Sequence, residues 1–203
     1  CQNLMTTHPK MTHIPIGLDY HTISRVGEIH PWGEGKVPKD QEADLEKAVQ
    51  EAPAIHERHL YCYSNFHHAT FFIGSRGDRK EVVEKVPKDI VFYDPVFTAR
   101  DVAWNHQSFF THVLSPRGGG FDCHRTWEAL CLGCIPILKK SEIDELFIDL
   151  PVLLVDNWGE ITKDLLNKTI YEFKNKNKNK KFNYDKLLLK YWINKFKKLE
   201  GLI

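Results

Sequence analysis

The sequence lacks the features that mark a membrane protein or a nucleic-acid-binding protein. No stretch approaches the roughly 18–20 consecutive apolar residues that cross a bilayer, and no charged start followed by an apolar core marks a signal peptide. Because the chain opens on Cys1, this absence says nothing about a targeting segment ahead of it. The 28 basic and 27 acidic side chains leave a net charge of +1, which gives no argument for a nucleic-acid partner.

Two common nucleotide-binding motifs are also missing. The chain contains neither the G-x-G-x-x-G turn of dinucleotide-binding enzymes nor the G-x-x-x-x-G-K-[ST] loop of P-loop proteins. A Rossmann-like oxidoreductase is therefore disfavoured.

The cysteines give two interpretations. The chain has five of them, an odd number in a chain too large to need disulfide bonds for stability. Cys131 and Cys134 form a C-x-x-C with Cys123 and His124 upstream, a pattern that also occurs in zinc sites. The alternative, which we favour, is that these cysteines are small buried hydrophobic residues on a predicted helix and strand. We therefore expect no metal ion.

The centre of the chain predicts a strand, a glycine-rich turn, a helix and a second strand. These elements lie at residues 110–114, 118–120, 122–132 and 135–138. Asp122 is predicted to be the helix N-cap and Gly133 to end the helix. Such a βαβ unit presents free backbone N–H groups and the positive end of a helix dipole at its turn. The turn is therefore suited to an anion.

Charged side chains surround this turn. Arg117 and Arg125 flank it, and Glu128 lies one helical turn beyond Arg125 on the same face. An arginine fork matches phosphate oxygens, and a carboxylate accepts hydrogen bonds from ribose hydroxyls, so the pattern outlines a nucleotide site. The alternative is a turn used for packing, a surface arginine, and an Arg125–Glu128 pair worth only a few tenths of a kcal/mol.

The same stretch resembles a known family. It reads Ser-Pro-Arg-Gly-Gly-Gly-Phe-Asp-Cys-His-Arg-Thr-Trp-Glu-Ala-Leu-Cys-Leu-Gly-Cys-Ile-Pro-Ile and is similar to the signature of exostosin-like glycosyltransferases, including those encoded by large algal viruses. The likeness continues less strictly through Leu150–Val155. It implies the GT-B fold, in which two Rossmann-like halves face each other across a cleft and the C-terminal half binds a nucleotide-sugar donor, most simply a UDP-sugar.

The resemblance and the strand ends together predict the donor site. Arg117, the three glycines, Arg125 and Glu128 would hold the diphosphate and ribose, and a loop after the first strand would reach the same cleft. The predicted donor-binding residues are Asn65, His67, Arg76, Ser115, Arg117, Gly118, Gly119, Gly120, Asp122, His124, Arg125 and Glu128.

A stretch near the N-terminus fits the same family. Residues 14–21 are similar to the Ile-Pro-x-Gly-x-Asp segment that closes the N-terminal half of GT-B enzymes. The chain would then hold a remnant of that half and a linker at 1–52, a nucleotide-sugar-binding domain at 53–173, and a Lys/Asn-rich linker with a C-terminal crossing helix at 174–203. Asp19 and His21 are candidates for the catalytic base, unless the base belongs to the half that the chain lacks.

Outside the central unit, short apolar strands alternate with helices, which predicts an α/β fold with a parallel sheet. Residues 28–35 are predicted to form a loop. Predicted helices lie at 38–51, 76–85, 99–109, 141–147, 160–173 and 184–199, and predicted strands at 60–63, 90–93 and 150–155. In helix 99–109, Val102 and Ala103 are expected to point inward, and Ser141 is the predicted N-cap of its helix.

The chemistry expected from these residues needs no metal. Metal-dependent glycosyltransferases of the GT-A type hold their ion with an Asp-x-Asp motif, which the chain lacks, whereas arginines and a helix N-terminus can stabilise a leaving diphosphate. We expect a metal-independent transferase that moves a sugar to a glycan or glycoprotein acceptor, or alternatively a catalytically silent nucleotide-binding or scaffolding module that partners an active chain. A virus-encoded member would work in the cytoplasm, and an animal or plant relative in the Golgi lumen.

Overall fold

The computed structural model describes residues 3–6, 8–66, 77–95, 97–179 and 181–201. Two of the predicted donor-binding residues, His67 and Arg76, lie outside the described residues. The strands are β1 (Ile29–His30), β2 (Gly33–Glu34), β3 (His59–Ser64), β4 (Val91–Tyr93), β5 (Phe110–Leu114), β6 (Ile135–Lys139) and β7 (Leu153–Val155). The α-helices are α1 (Pro38–Glu51), α2 (Gly77–Lys85), α3 (Arg100–Ser108), α4 (His124–Cys131), α5 (Lys163–Lys178) and α6 (Leu189–Leu199).

Five of the strands form one parallel sheet in the order β4-β3-β5-β6-β7. The chain first winds from β3 outward to β4, then returns to place β5 on the other side of β3 and continues in that direction. This is a doubly wound, Rossmann-like arrangement, as the sequence predicts. The strand order reverses between β3 and β5, and the crevice outside the carboxyl ends of those two strands is where such sheets bind ligands.

Helices cover both faces of the sheet. On one face, Cys62 and Leu114 pack with side chains of α2 and α5, including Val82 and Leu166. On the other, Tyr63 and Val113 pack with α1, α3 and α4, through side chains that include Leu45, Trp104 and Ala129. All five residues of β5, Phe-Thr-His-Val-Leu, are buried, which explains why its sequence shows no alternation of polar and apolar residues.

The C-terminal helix α6 packs against the same domain. Trp192 is buried in a third apolar cluster with Trp127 and Phe147, and its indole donates to the Lys186 carbonyl at 2.8 Å. The described part of the chain contains no helix long and apolar enough to cross a membrane.

Two predicted helix caps are wrong. Helix α4 begins one residue later than predicted, with Cys123 at the cap position, because the Asp122 carboxylate is taken by the Ile16 N–H at 2.6 Å and the Trp127 indole at 2.8 Å. The predicted helix at 141–147 is a single 3₁₀ turn, Asp144–Phe147. Ser141 does not cap it; instead its own N–H donates to the Asp144 carboxylate at 3.0 Å.

Other elements differ in extent. Val102 is 42% exposed rather than inward-facing, whereas Ala103 is buried as predicted. Strand β7 begins only at Leu153, and the predicted loop at 28–35 contains the β1–β2 hairpin. Helix α5 starts after its Thr162 cap and continues through Lys178, into the segment predicted to be a linker. Lysine is a good helix former and is favoured near a helix C-terminus, where it complements the dipole.

Candidate functional site

A cleft of about 180 Å³ opens at the point where the strand order reverses, and we call it the switch-point cleft. Its walls come from the end of β3, from α3 and α4, and from the N-terminal segment. The lining residues are Asp19, Trp32, Asn65, Phe66, Pro95, Thr98, Arg100, Ala103, Trp104, Arg125 and Glu128. Three of the predicted donor-binding residues, Asn65, Arg125 and Glu128, therefore meet in one cleft together with Asp19.

Arg125 is held at the wall of this cleft by uncharged groups. Its Nε donates to the Asn65 side-chain oxygen at 3.3 Å and its Nη1 to the Pro116 carbonyl at 3.3 Å. Its guanidinium carbon lies 5.5 Å from the centroid of the Phe66 ring, a cation–π distance. Among the described residues no carboxylate forms an ion pair with Arg125. Its charge is thus available to an anion that enters the cleft.

Glu128 lies beside Arg125 and is partly buried, and the charges of Arg100 and Arg125 both act on its carboxyl. Burial raises the pKa of the Glu128 carboxyl, although the charges of Arg100 and Arg125 and a hydrogen bond from Trp104 oppose that rise. A carboxylate in this position accepts hydrogen bonds strongly because few water molecules compete for it.

Arg100 also lines the cleft, and the sequence analysis did not identify it. Its Nη2 pairs with the Asp19 carboxylate at 3.1 Å, and its Nη1 donates to the Gln41 side-chain oxygen at 2.8 Å and also to the Asp19 carbonyl. Gln41 is itself buried and donates to the carbonyls of Tyr20 and Lys36 at 3.0 and 2.7 Å. The guanidinium is therefore fixed. The only sequence signal for it is a basic residue in the first turn of the helix that follows β4.

The two candidate bases are adjacent. Asp19 Oδ1 lies 2.8 Å from His21 Nδ1, and the His21 side chain is 82% exposed. Burial would raise the pKa of Asp19, but hydrogen bonds from Thr22 and the charge of Arg100 together hold it below its usual value. Asp19 is therefore a weak base that orients His21 and Arg100, and the open imidazole nitrogen of His21 faces solvent.

The glycine turn is shaped by close approaches rather than by positive φ angles. The Gly118 N–H donates to the Gly120 carbonyl at 3.0 Å. A Cβ at Gly118 would lie 3.1 Å from the Arg79 guanidinium, and one at Gly120 would lie 2.5 Å from the carboxamide of Asn3. That carboxamide accepts from the Asp122 N–H at 2.7 Å. The Asp122 N–H, one of the backbone donors that the sequence predicts to face an anion, therefore already binds Asn3. A Cβ at Gly119 would contact no atom of the described residues within 4 Å.

Ser115 and Arg117 line a different cavity, the second cleft, of about 190 Å³ at the carboxyl ends of β5 and β6. The Arg117 guanidinium lies over the Phe121 ring at 5.3 Å, and Ser115 Oγ is 2.8 Å from Thr126 Oγ1. The sequence analysis placed these residues in one donor site with Arg125. The structure instead divides that set between two clefts on either side of the glycine turn.

Two further predicted donor-binding residues anchor the N-terminal segment instead. Asp122 binds the Ile16 N–H, and His124 Nδ1 lies 2.8 Å from the Gly17 carbonyl oxygen. The segment that resembles the end of a GT-B N-terminal half is thereby docked on the N-terminus of α4, which brings Asp19 to the switch-point cleft.

Of the two cysteines of the C-x-x-C, Cys134 is buried and Cys131 is partly buried. The Cys134 thiol donates to the Gln107 carbonyl at 3.5 Å, and burial raises the pKa of Cys131 to about 11 and that of Cys134 to about 12. Thiols with such pKa values stay protonated at neutral pH and behave as small buried hydrophobic groups. No group of three or more His, Cys, Asp or Glu side chains within the described ranges is arranged to hold a metal ion.

Fold and site together define a doubly wound α/β domain with an arginine-lined crevice at its topological switch point. In comparisons with known proteins, no family model matches the chain and no curated protein matches it significantly in sequence.

Proposed function

We propose that the chain is the donor-binding part of a metal-independent glycosyltransferase that uses a nucleoside-diphosphate sugar, most simply a UDP-sugar. The observation that carries this proposal is the guanidinium of Arg125, which forms no ion pair within the described ranges and lies beside the partly buried Glu128. Both line the crevice where doubly wound sheets bind nucleotides. The resemblance of residues 115–138 to exostosin-like enzymes points to the same class.

Each group in the cleft has a role in this proposal. Arg125 contacts the diphosphate and stabilises the negative charge that develops as the sugar–phosphate bond breaks. Glu128 accepts from the ribose hydroxyls, and Phe66 provides an aromatic surface next to the arginine. Arg100 is paired with Asp19 and holds the wall of the cleft. Arg125 therefore supplies the positive charge that stabilises the leaving group without a metal ion.

The size of the cleft supports a GT-B arrangement. Ligand pockets usually enclose roughly 300–1,000 Å³, and the described residues of the switch-point cleft enclose about 180 Å³. They therefore hold part of a nucleotide sugar, and in the GT-B fold the opposite half completes the enclosure. The acceptor is proposed to be a glycan or glycoprotein.

An alternative is a catalytically silent nucleotide-binding module that partners an active chain. The engagement of Asp19 by Arg100 and Thr22 favours it, because a carboxylate held in its charged form is a poor proton acceptor.

Release of free UDP from UDP-sugars separates these alternatives. The chain is incubated with UDP-glucose, UDP-galactose and UDP-N-acetylglucosamine in EDTA, with and without oligosaccharides, and UDP is quantified by chromatography. A transferase releases UDP from one donor, and Arg125→Ala abolishes the release whereas the exposed Arg25→Ala does not. Nucleotide binding without release under any condition means that the chain carries a donor site but needs a separate half or partner chain for transfer.

A further inference from the structure

A third cavity of about 220 Å³ adjoins the switch-point cleft, and we call it the hairpin cavity. The two share Trp32, Arg100 and Trp104 in their walls. Its remaining walls come from the β1–β2 hairpin, from α1 and from the start of α3. A ligand in the hairpin cavity would therefore touch the residues that also border the switch-point cleft.

Trp32 is held in place as one wall of this cavity. It occupies the two-residue turn between β1 and β2, and its carbonyl accepts from the Arg100 N–H at 2.9 Å. Its ring centroid lies 4.6 Å from that of His30. Two glycines fix the hairpin: Gly33 has a φ of +120°, and a Cβ at Gly35 would lie 1.7 Å from the Arg25 carbonyl oxygen. The half-buried indole is thus positioned before any ligand arrives.

The opposite walls carry hydrogen-bond acceptors. Glu34 and Asp101 are exposed carboxylates, and neither forms an ion pair with another residue in the described part of the chain. Asp44 is paired with Lys36 at 2.6 Å. The hydrogen bond to Asp44 raises the pKa of Lys36, and the negative charges of Asp101 and Glu34 add smaller contributions in the same direction.

The charge in the cavity argues against an anionic ligand. Its two cations, Lys36 and Arg100, are already paired with Asp44 and Asp19, and Glu34 and Asp101 add negative charge. A ligand that fits must donate hydrogen bonds to carboxylates and present an apolar face to an indole. Sugar rings do both, since their hydroxyls are donors and the C–H groups on one ring face pack against aromatic side chains. The volume of about 220 Å³ is below the roughly 300–1,000 Å³ of usual ligand pockets, so the cavity suits a small ligand such as a single sugar ring.

We infer that the hairpin cavity binds one neutral sugar residue of the acceptor, packed against Trp32 and hydrogen-bonded to Glu34 and Asp101. The assignment to the acceptor rests on the proposed function, because the cavity meets the donor cleft at Trp32 and Arg100. Binding of a neutral saccharide as such depends only on the cavity.

The test is saturation-transfer NMR on the whole chain with maltotriose, cellotriose and xylotriose, in EDTA and with saturating UDP. Transfer to at least one of these sugars is expected, with affinity lowered about tenfold or more in Trp32→Ala and largely kept in Trp32→Phe. Asp101→Asn, which leaves the hairpin intact, lowers the affinity as well. Tyr171→Ala removes an exposed aromatic ring from α5, away from the cavity, and leaves the affinity unchanged.

Other outcomes overturn the inference. These are transfer to none of the three sugars, equal affinity in wild type and Trp32→Ala, or, in samples without EDTA, displacement of the sugar by Ca²⁺ or Mg²⁺ with saturable binding of the ion. Arg125→Ala separates this inference from the proposed function. For that variant we expect UDP binding to be lost and saccharide binding to be retained. If the wild type binds UDP but no saccharide, only the inference fails. If the wild type binds a saccharide but not UDP, only the proposed function fails.

Discussion

Arg125 and Asn65 meet across the point where the strand order of the sheet reverses, with Arg125 Nε 3.3 Å from the Asn65 side-chain oxygen. Asn65 follows β3 directly and Arg125 lies in the first turn of α4, so they are 60 residues apart in sequence. The contact sets the direction of the guanidinium with an uncharged partner. The charge of Arg125 is oriented without being neutralised.

Replacement of Asn65 should therefore weaken nucleotide binding without abolishing it. Asn65→Ala removes one hydrogen bond, worth about 0.5–1.5 kcal/mol, so we expect the dissociation constant for the bound nucleotide to rise roughly three- to tenfold. Calorimetry measures this change, and the exposed Asn194→Ala on α6 is the matched control. An unchanged affinity would mean that Asn65 does not position Arg125 for binding.

Glu128 should make stability depend on pH. Because burial raises the pKa of its carboxyl above the ordinary value of 4.5, the folded chain holds this proton more tightly than the unfolded chain. Ionisation therefore costs stability as pH rises from about 4.5 through the folded pKa. Glu128→Gln removes that cost, so its melting temperature should exceed that of wild type at pH 7, with the difference vanishing as pH falls to about 4.5.

The same substitution should weaken nucleotide binding at pH 7, because the amide is a poorer acceptor for ribose hydroxyls than the carboxylate. Thermal unfolding between pH 4 and pH 8 and calorimetry on the same samples test both parts. The exposed Glu172→Gln on α5 is the control and should change neither. A Glu128→Gln variant that is less stable than wild type at pH 7 would show that the carboxylate is held by favourable pairing instead.

Gln41 and Gln107 provide a matched pair of buried amides. Gln41 donates to backbone carbonyls and accepts from Arg100, so Gln41→Leu leaves those groups without partners and should cost about 3 kcal/mol or more. The Gln107 Nε2 atom has no hydrogen-bond partner in the described part of the chain. Gln107→Leu should therefore be close to neutral or stabilising. Urea unfolding compares the two, and equal losses would contradict this account of how Arg100 is fixed.

The sequence predicted the fold correctly where the local residue pattern matches the burial of the element. Strand β5 was predicted and is the buried central strand of the sheet, and Gly133, with its φ of +69°, ends α4 as predicted. The β1–β2 hairpin was missed because strands of two residues each are too short to show an alternating pattern. The Asp122 cap was wrong because its carboxylate accepts instead from the Ile16 N–H of a distant segment and from the Trp127 indole of α4.

Only part of the candidate site could be predicted from the sequence. Arg125, Glu128 and Asn65 were predicted and lie together, because the carboxyl ends of adjacent parallel strands share one edge of the sheet. Arg117 was assigned to the same site, but it extends into the second cleft on the other side of the glycine turn. Arg100 and Trp32 reach the cleft through contacts between distant segments, for which the sequence carries no local signal.

The most direct test of the central claim is a calorimetric titration with UDP, GDP and UDP-sugars in EDTA, on wild type, Arg125→Ala and Arg25→Ala. We predict saturable, metal-independent binding of one nucleotide to wild type and to Arg25→Ala, and its loss in Arg125→Ala. Binding that survives in both Arg125→Ala and Glu128→Ala, or no binding of any of these nucleotides to wild type, would contradict the assignment of the switch-point cleft as a donor site.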